Sequence, residues 1–297
     1  MNLGRAKLIL IIAFAGLNIF LGYQLFWPDF GRLANVAVTS EELEATERML
    51  EDNNYILDAS FDRSPQTSDF LTVSPDQNFR QKLLYQFIKS GAAVEETDDA
   101  TYYRLDEKTA VVHLSGLIQV FYNKGVFLAE DSVNLEENEL KSQVEEYLQD
   151  NALMPEELMF DYLEKNEDDF ILLNYYQALG KTPIFAGQLK VVIESDHIKA
   201  IEVYSLQPVE RVLHREMEVI SPTEALSNLV TELGASTDKR VIKKIDLGYF
   251  SGEYDAEKWD IPPVWRIVLD GYQKYYINAF TGNLEKDTVI PEQLQEH

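Results

Sequence analysis

Adjacent carboxylates recur along this chain: Asp98-Asp99, Glu136-Glu137, Glu145-Glu146, Glu156-Glu157 and Asp168-Asp169. Two carboxyl groups held a few ångströms apart can divide acid and base roles in glycoside hydrolysis. The chain carries 51 acids in 297 residues, however, so adjacent pairs arise by chance and most should be solvated faces. Asn166-Glu167-Asp168-Asp169 gathers oxygen ligands but lacks the D-x-D-x-D-G frame and closing Glu of a calcium loop. His113, His197, His214 and His297 have no second His or Cys at metal-ligand spacing. His113 sits within a strand pattern and His197 in a hairpin turn, so structural roles are expected for both. There is no Cys, no G-x-S-x-G and no glycine-rich phosphate loop. The residues therefore predict no catalysis, metal or cofactor; an enzyme using two acids is the contrary reading.

What positions this polypeptide is its beginning. Leu8 to Trp27 is an uncharged run, LILIIAFAGLNIFLGYQLFW. At about 1.5 Å per residue it makes a helix of roughly 30 Å, the thickness of a bilayer core. Arg5 and Lys7 precede it, which favours a cytoplasmic N-terminus and an external body. A cleaved signal has an apolar region of about 7–15 residues followed by a small-x-small site. Here the apolar run is longer, and Ala34 and Ala37 are three apart rather than two, so the cues favour a retained anchor. Tyr23 and Trp27 lie where aromatic rings settle at headgroups. Ala15, Asn18 and Gly22 share one helix face. An Asn in the bilayer gains from a partner helix, and small neighbours let one approach, so these three are the candidate transmembrane contact. A single span that tolerates one Asn without a partner is the other reading.

The net charge is −25, and Arg5 and Lys7 contribute +2, which leaves −27 beyond the anchor. That balance argues against nucleic acid, which needs a basic footprint, and serves solubility. Without Cys the external fold must rest on packing alone.

Capping signals and alternation then divide the body. The expected organisation is a cytoplasmic tail (1–7), a transmembrane helix (8–27), a tether (28–38), a helix/strand segment (39–132) packing on the first unit, a first α+β unit (133–210) and a second (211–297). Thr39 with Glu42, Ser74 with Pro75 and Gln77, Asn134 with Glu137, and Ser221 with Pro222 and Glu224 each predict a helix start. Strand patterns fall at 55–61, 70–73, 101–105 and 111–122, with a hairpin turn at Lys124-Gly125. Further strands are expected at 158–163, 170–178, 184–193, 198–206, 241–250, 264–269 and 272–279. Pro183-Ile184-Phe185 and Pro263-Val264-Trp265 open equivalent strands, each followed by a hairpin. Tyr102-Tyr103, Tyr175-Tyr176 and Tyr275-Tyr276 put one ring on each sheet face. The fold class expected is α+β, with tandem units of a helix packed on an antiparallel sheet.

The run PVWRIVLDGYQKYYINAFTGNLE resembles a PepSY-type domain. Over its whole length the chain resembles the YycI (WalI) family. The residues that carry this are Asn18-Ile19-Phe20-Leu21-Gly22-Tyr23-Gln24-Leu25, Leu71-Thr72-Val73-Ser74-Pro75, the acidic helix from Glu41, and the two Pro-led landmarks. The resemblance implies a single-pass protein of the Gram-positive cell membrane with an extracellular domain. It implies association with a WalK-like sensor histidine kinase and a YycH-like protein, partly through transmembrane helices. It further implies control of the kinase governing cell-wall metabolism, with no catalysis and no small-molecule substrate. A PepSY-like extracellular inhibitor or chaperone of a peptidase is the alternative.

Overall fold

The computed structural model describes Phe14 and residues 37–285, apart from 129, 166–169, 210–215 and 253–255. Four helices are found among them. In α1 (Ser40–Asp52) the Thr39 hydroxyl accepts from the Glu42 amide at 3.1 Å, as the capping signal requires. α2 (Gln77–Lys89) starts later than its signal predicts: Asp76 is the cap, accepting from the Phe79 amide at 3.0 Å, while Ser74 and Pro75 end a strand. α3 (Glu137–Asp150) also differs. Asn134 belongs to a 3₁₀ turn and bonds Asp131, and Glu136 occupies the cap position without a side-chain bond. α4 (Pro222–Leu233) follows Ser221, which accepts from the Glu224 amide at 3.1 Å, and stops at Gly234.

Thirteen strands form one mixed sheet: β1 (Tyr55–Leu57), β2 (Ala93–Glu96), β3 (Ala100–Arg104), β4 (Lys108–His113), β5 (Ile118–Phe127), β6 (Leu158–Lys165), β7 (Phe170–Leu179), β8 (Thr182–Glu194), β9 (His197–Tyr204), β10 (Arg240–Tyr249), β11 (Pro263–Leu269), β12 (Lys274–Asn278) and β13 (Leu284–Glu285). The spatial order is β13-β12-β11-β10-β8-β9-β5-β4-β3-β2, with β1 beside β10 and the β6–β7 pair on the other edge of β8. Two antiparallel meanders, β7-β8-β9 and β10-β11-β12, thus follow α3 and α4 respectively. They join where Ile184 of β8 pairs in parallel with Tyr249 of β10. Leu71–Pro75 pairs with Leu206–Pro208 and Trp259–Ile261 in a small sheet whose side chains pack on this junction.

Three expectations for the strands give way to local chemistry. The run 111–122 is not one strand but the β4–β5 hairpin, reversing at Gly116, whose φ of 96° suits glycine. Gly125 lies inside β5 rather than at a turn. It has φ 75° opposite His197, and a Cβ there would stand 2.6 Å from the His197 Cβ. The strand expected at 55–61 pairs only as Tyr55–Leu57.

The core divides by helix. Phe79, Leu83 and Phe87 of α2 and Leu140, Val144 and Leu148 of α3 pack on one face of β4, β5 and β7–β9. Leu226 and Leu229 of α4 and Leu50 of α1 pack on Trp265, Ile267 and Ile277. Residues 40–57 therefore sit on the second unit, not on the first as expected for the 39–132 segment. β1 is apolar at Tyr55 and Leu57, and β10 offers it a free parallel edge. Each fully buried aliphatic side chain stabilises this core by about 1.5–3 kcal/mol.

Candidate functional site

The polar chemistry converges where the two meanders meet. All seven residues of β11 are buried. Alternation sends Trp265 and Ile267 towards α4, so Arg266 points to the opposite face, where the β6–β7 hairpin approaches. Arg266 is 1% exposed. It donates from Nη1 to Asp161 of β6 and from Nη2 to Asp246 of β10, both at 2.7 Å. Its guanidinium lies over the Phe185 ring at 4.1 Å and near Tyr176 at 5.2 Å. Lys274 also reaches Asp161, at 3.1 Å, and Lys244 stands 3.6 Å from it.

Burying a charge is costly unless a partner offsets it, and every group here has one. Burial alone would raise the Asp161 carboxyl, but Arg266 and Lys274 hold it below the usual range. Burial likewise opposes the Arg266 charge, yet Asp161 and Asp246 keep its pKa above the ordinary value. Lys274 goes the other way. Burial pushes it down to about 8, and the attraction of Asp161 only partly restores it beside Arg266.

A polar row runs from this seam along the helix-free face of the first unit. Tyr162, Asn174, Lys190, Glu202 and Gln119 occupy paired positions on β6, β7, β8, β9 and β5. Glu202 is 4% exposed and accepts from Lys190 at 3.0 Å and from Gln119 at 3.1 Å. The other end of Gln119 accepts from His113 Nε2 at 3.0 Å.

Between row and seam lies a cleft of about 240 Å³. Stacked rings wall it: Tyr162 on Tyr272 at 4.3 Å and Phe250 on Tyr276 at 3.7 Å. Lys190, Lys274, Asn174 and Gln188 are the lining residues with side-chain nitrogen donors. β8 changes register between Ile184 and Gln188, and Phe185, Ala186 and Gln188 line the cleft. Gln177 fills that bulge, donating to the Leu206 carbonyl at 3.1 Å and accepting from its amide at 2.8 Å. Gly187 makes room for it, since a Cβ there would stand 2.0 Å from Gln177 Oε1. Rings, ammonium groups and amides are the chemistry of recognition.

Ala15, Asn18 and Gly22 lie outside the described residues, as do Asp168-Asp169, His214 and His297. Among the described residues no helix is long and apolar enough to cross a membrane, and of the 8–27 segment only Phe14 is among them. Asp98-Asp99, Glu136-Glu137 and Glu156-Glu157 are exposed and scattered. His113 is held by Gln119, and His197 bonds the Ser195 carbonyl. No cluster of three His, Cys, Asp or Glu suited to a metal occurs among the described residues. Two tyrosine pairs alternate as expected: Tyr175 enters the first core while Tyr176 faces Arg266, and Tyr275 packs on the second core while Tyr276 stacks on Phe250. The Arg266 group was not anticipated. Its one signal in the sequence is a lone arginine within the apolar run Val264–Leu269.

Comparison with solved structures finds the fold in an uncharacterized protein from Eubacterium rectale. That protein is 12% identical, with a TM-score of 0.51, over 78% of this chain and 91% of its own. YycH from Bacillus subtilis is 19% identical with a TM-score of 0.48, over 72% of this chain and 52% of its own. Comparison with curated proteins gives no match. The family model described as YycI protein matches residues 34–280, nearly the whole of the body whose fold is described above. The chain belongs to the YycI family.

Proposed function

We propose that this chain is a membrane-anchored, non-catalytic regulator that binds a WalK-like sensor histidine kinase together with a YycH-like protein. The observation that carries the proposal is the family match over residues 34–280. The uncharged run from Leu8 to Trp27, preceded by Arg5 and Lys7, supports a single pass with the N-terminus inside and residues 28–297 outside. In this reading residues 28–38 are the tether, and units 133–210 and 211–297 form the PepSY-like external pair. Ala15, Asn18 and Gly22 form the face that meets a partner helix.

Regulation of this kind needs no chemistry in the regulator. Binding shifts a two-state kinase only as far as affinity differs between its states. A difference of about 1–3 kcal/mol changes the equilibrium between those states some 5–150-fold. Crosslinking in native membranes, followed by identification of the captured chains, tests the proposal. Capture of the kinase or a YycH-like chain is expected, and their absence from the crosslinked products overturns it. Asn18→Leu should weaken co-purification, because interhelical hydrogen bonds contribute about 0.6–2 kcal/mol; undiminished recovery removes Asn18 from the contact.

A further inference from the structure

We infer that the cleft between the two units is a binding site for a carboxylate carried on a small apolar or aromatic body, lodged between Lys190, Lys274 and Asn174 and the rings of Phe250, Tyr272 and Tyr276. This goes beyond the regulatory reading and does not depend on it.

Three observations converge. First, Asn174 is 3% exposed and lines the cleft, and its Nδ2 has no hydrogen-bond partner. A buried amide N–H without an acceptor is costly, and a ligand oxygen would satisfy it. Second, the local charge is balanced, unlike that of the chain. Lys190, Lys244, Arg266 and Lys274 face Asp161, Asp246 and Glu202, with Glu164 near Tyr162, in a protein of net charge −25. Both cleft lysines share their acids with other donors: Glu202 also binds Gln119, and Asp161 also binds Arg266. Third, the walls are aromatic faces with room for little. At about 240 Å³ the cleft falls below the roughly 300–1,000 Å³ of drug-sized sites. One residue-sized body fits, either the C-terminal residue of a peptide or a free small acid.

Lys274 is faced by Asp161, Arg266 and Lys190 and lies 4.5 Å over the Tyr162 ring. A ligand carboxylate beside it would favour its charged form, so binding should take up a proton near pH 8.

The test is calorimetric titration of the full chain in detergent micelles with N-acetylphenylalanine, its neutral amide and phenylacetate. The acid should bind about tenfold or more tightly than the amide, the scale of one charge-assisted hydrogen bond. Lys274→Met should abolish that preference while the protein stays folded, because the variant removes an ammonium that burial already disfavours. Asn174→Leu should weaken the acid several-fold, and Lys190→Met gives a second reading should either variant melt early. Phenylacetate binding as tightly as N-acetylphenylalanine assigns the site to free acids; weaker binding assigns it to peptide ends. Equal binding of acid and amide, no binding of either at about 10 mM, or a preference that survives all three substitutions overturns the inference.

Discussion

The two meanders share an order of elements and differ in what covers their second face. β7–β9 pack on α2 and α3 with one face, and the other carries the row from Tyr162 to Gln119. β10–β12 pack on α1 and α4, and the β6–β7 hairpin approaches their other face. β8 accordingly alternates buried and half-buried residues from Gln188 onward, whereas β11 is buried throughout. The lesson concerns polar residues. On the helix-free face Lys190 keeps contact with water. Inside the covered unit Arg266 needs two carboxylates and two rings to be tolerated.

That contrast predicts unequal costs of substitution, measured by chemical denaturation of the full chain. Trp265→Ala should destabilise by about 3–5 kcal/mol, because the ring is 2% exposed and its Nε1 donates to the Ile220 carbonyl at 2.9 Å. Arg266→Ala should cost about 3–5 kcal/mol, since Asp161 and Asp246 lose their closest partner. On the helix-free face, Glu202→Gln should cost only about 1–3 kcal/mol, the scale of one weakened buried polar contact. If Glu202→Gln proves as damaging as Arg266→Ala, the two faces are not different environments.

Helix starts sharpen the comparison further. Ser221→Ala should cost about 1 kcal/mol, because it removes the acceptor for the Glu224 amide. Asn134→Ala should leave α3 intact, because Asn134 does not cap it. A comparable loss of stability for both substitutions would restore Asn134 as the helix start.

The last contrast is in pH. Lys274 ionises near 8 in the folded protein against 10.5 for the free side chain. Between those values the unfolded chain binds more protons, so this group makes stability rise with pH. Tyr122, Tyr162 and Tyr175 are raised above 10.0 chiefly by burial, so they contribute stability that is lost as the unfolded tyrosines ionise above pH 10. Melting temperature should climb above pH 8 and fall beyond 10, and Lys274→Met should remove the climb alone. An unchanged climb in that variant would place its origin elsewhere.

Much of the fold was legible in local patterns. Thr39 and Ser221 announce their helices because a cap needs only the next three residues. The strands from 158 to 206 and from 240 to 278 appear as alternating or, in β11, continuously apolar runs because each has at least one face on a core. The errors have a common cause. Ser74-Pro75 reads as a helix start, but pairing with Leu206–Pro208 claims it for a strand. Gly125 reads as a turn, but His197 across the sheet makes it a place where only glycine fits. Neighbours distant in sequence decided both.

The amino-acid order by itself determined the helices with strong caps, the doubled helix-then-meander plan, the acidic character of the body and the uncharged run before it. These follow from periodicity and composition, which act within a few residues. Tertiary structure alone decided that Ser40–Leu57 crosses to the second unit, that Asp161 meets Arg266 across 105 positions, and that a shift in β8 lies beside a ring-walled cleft. Such contacts depend on which edges and faces remain available once the cores have formed, and no local spacing encodes that.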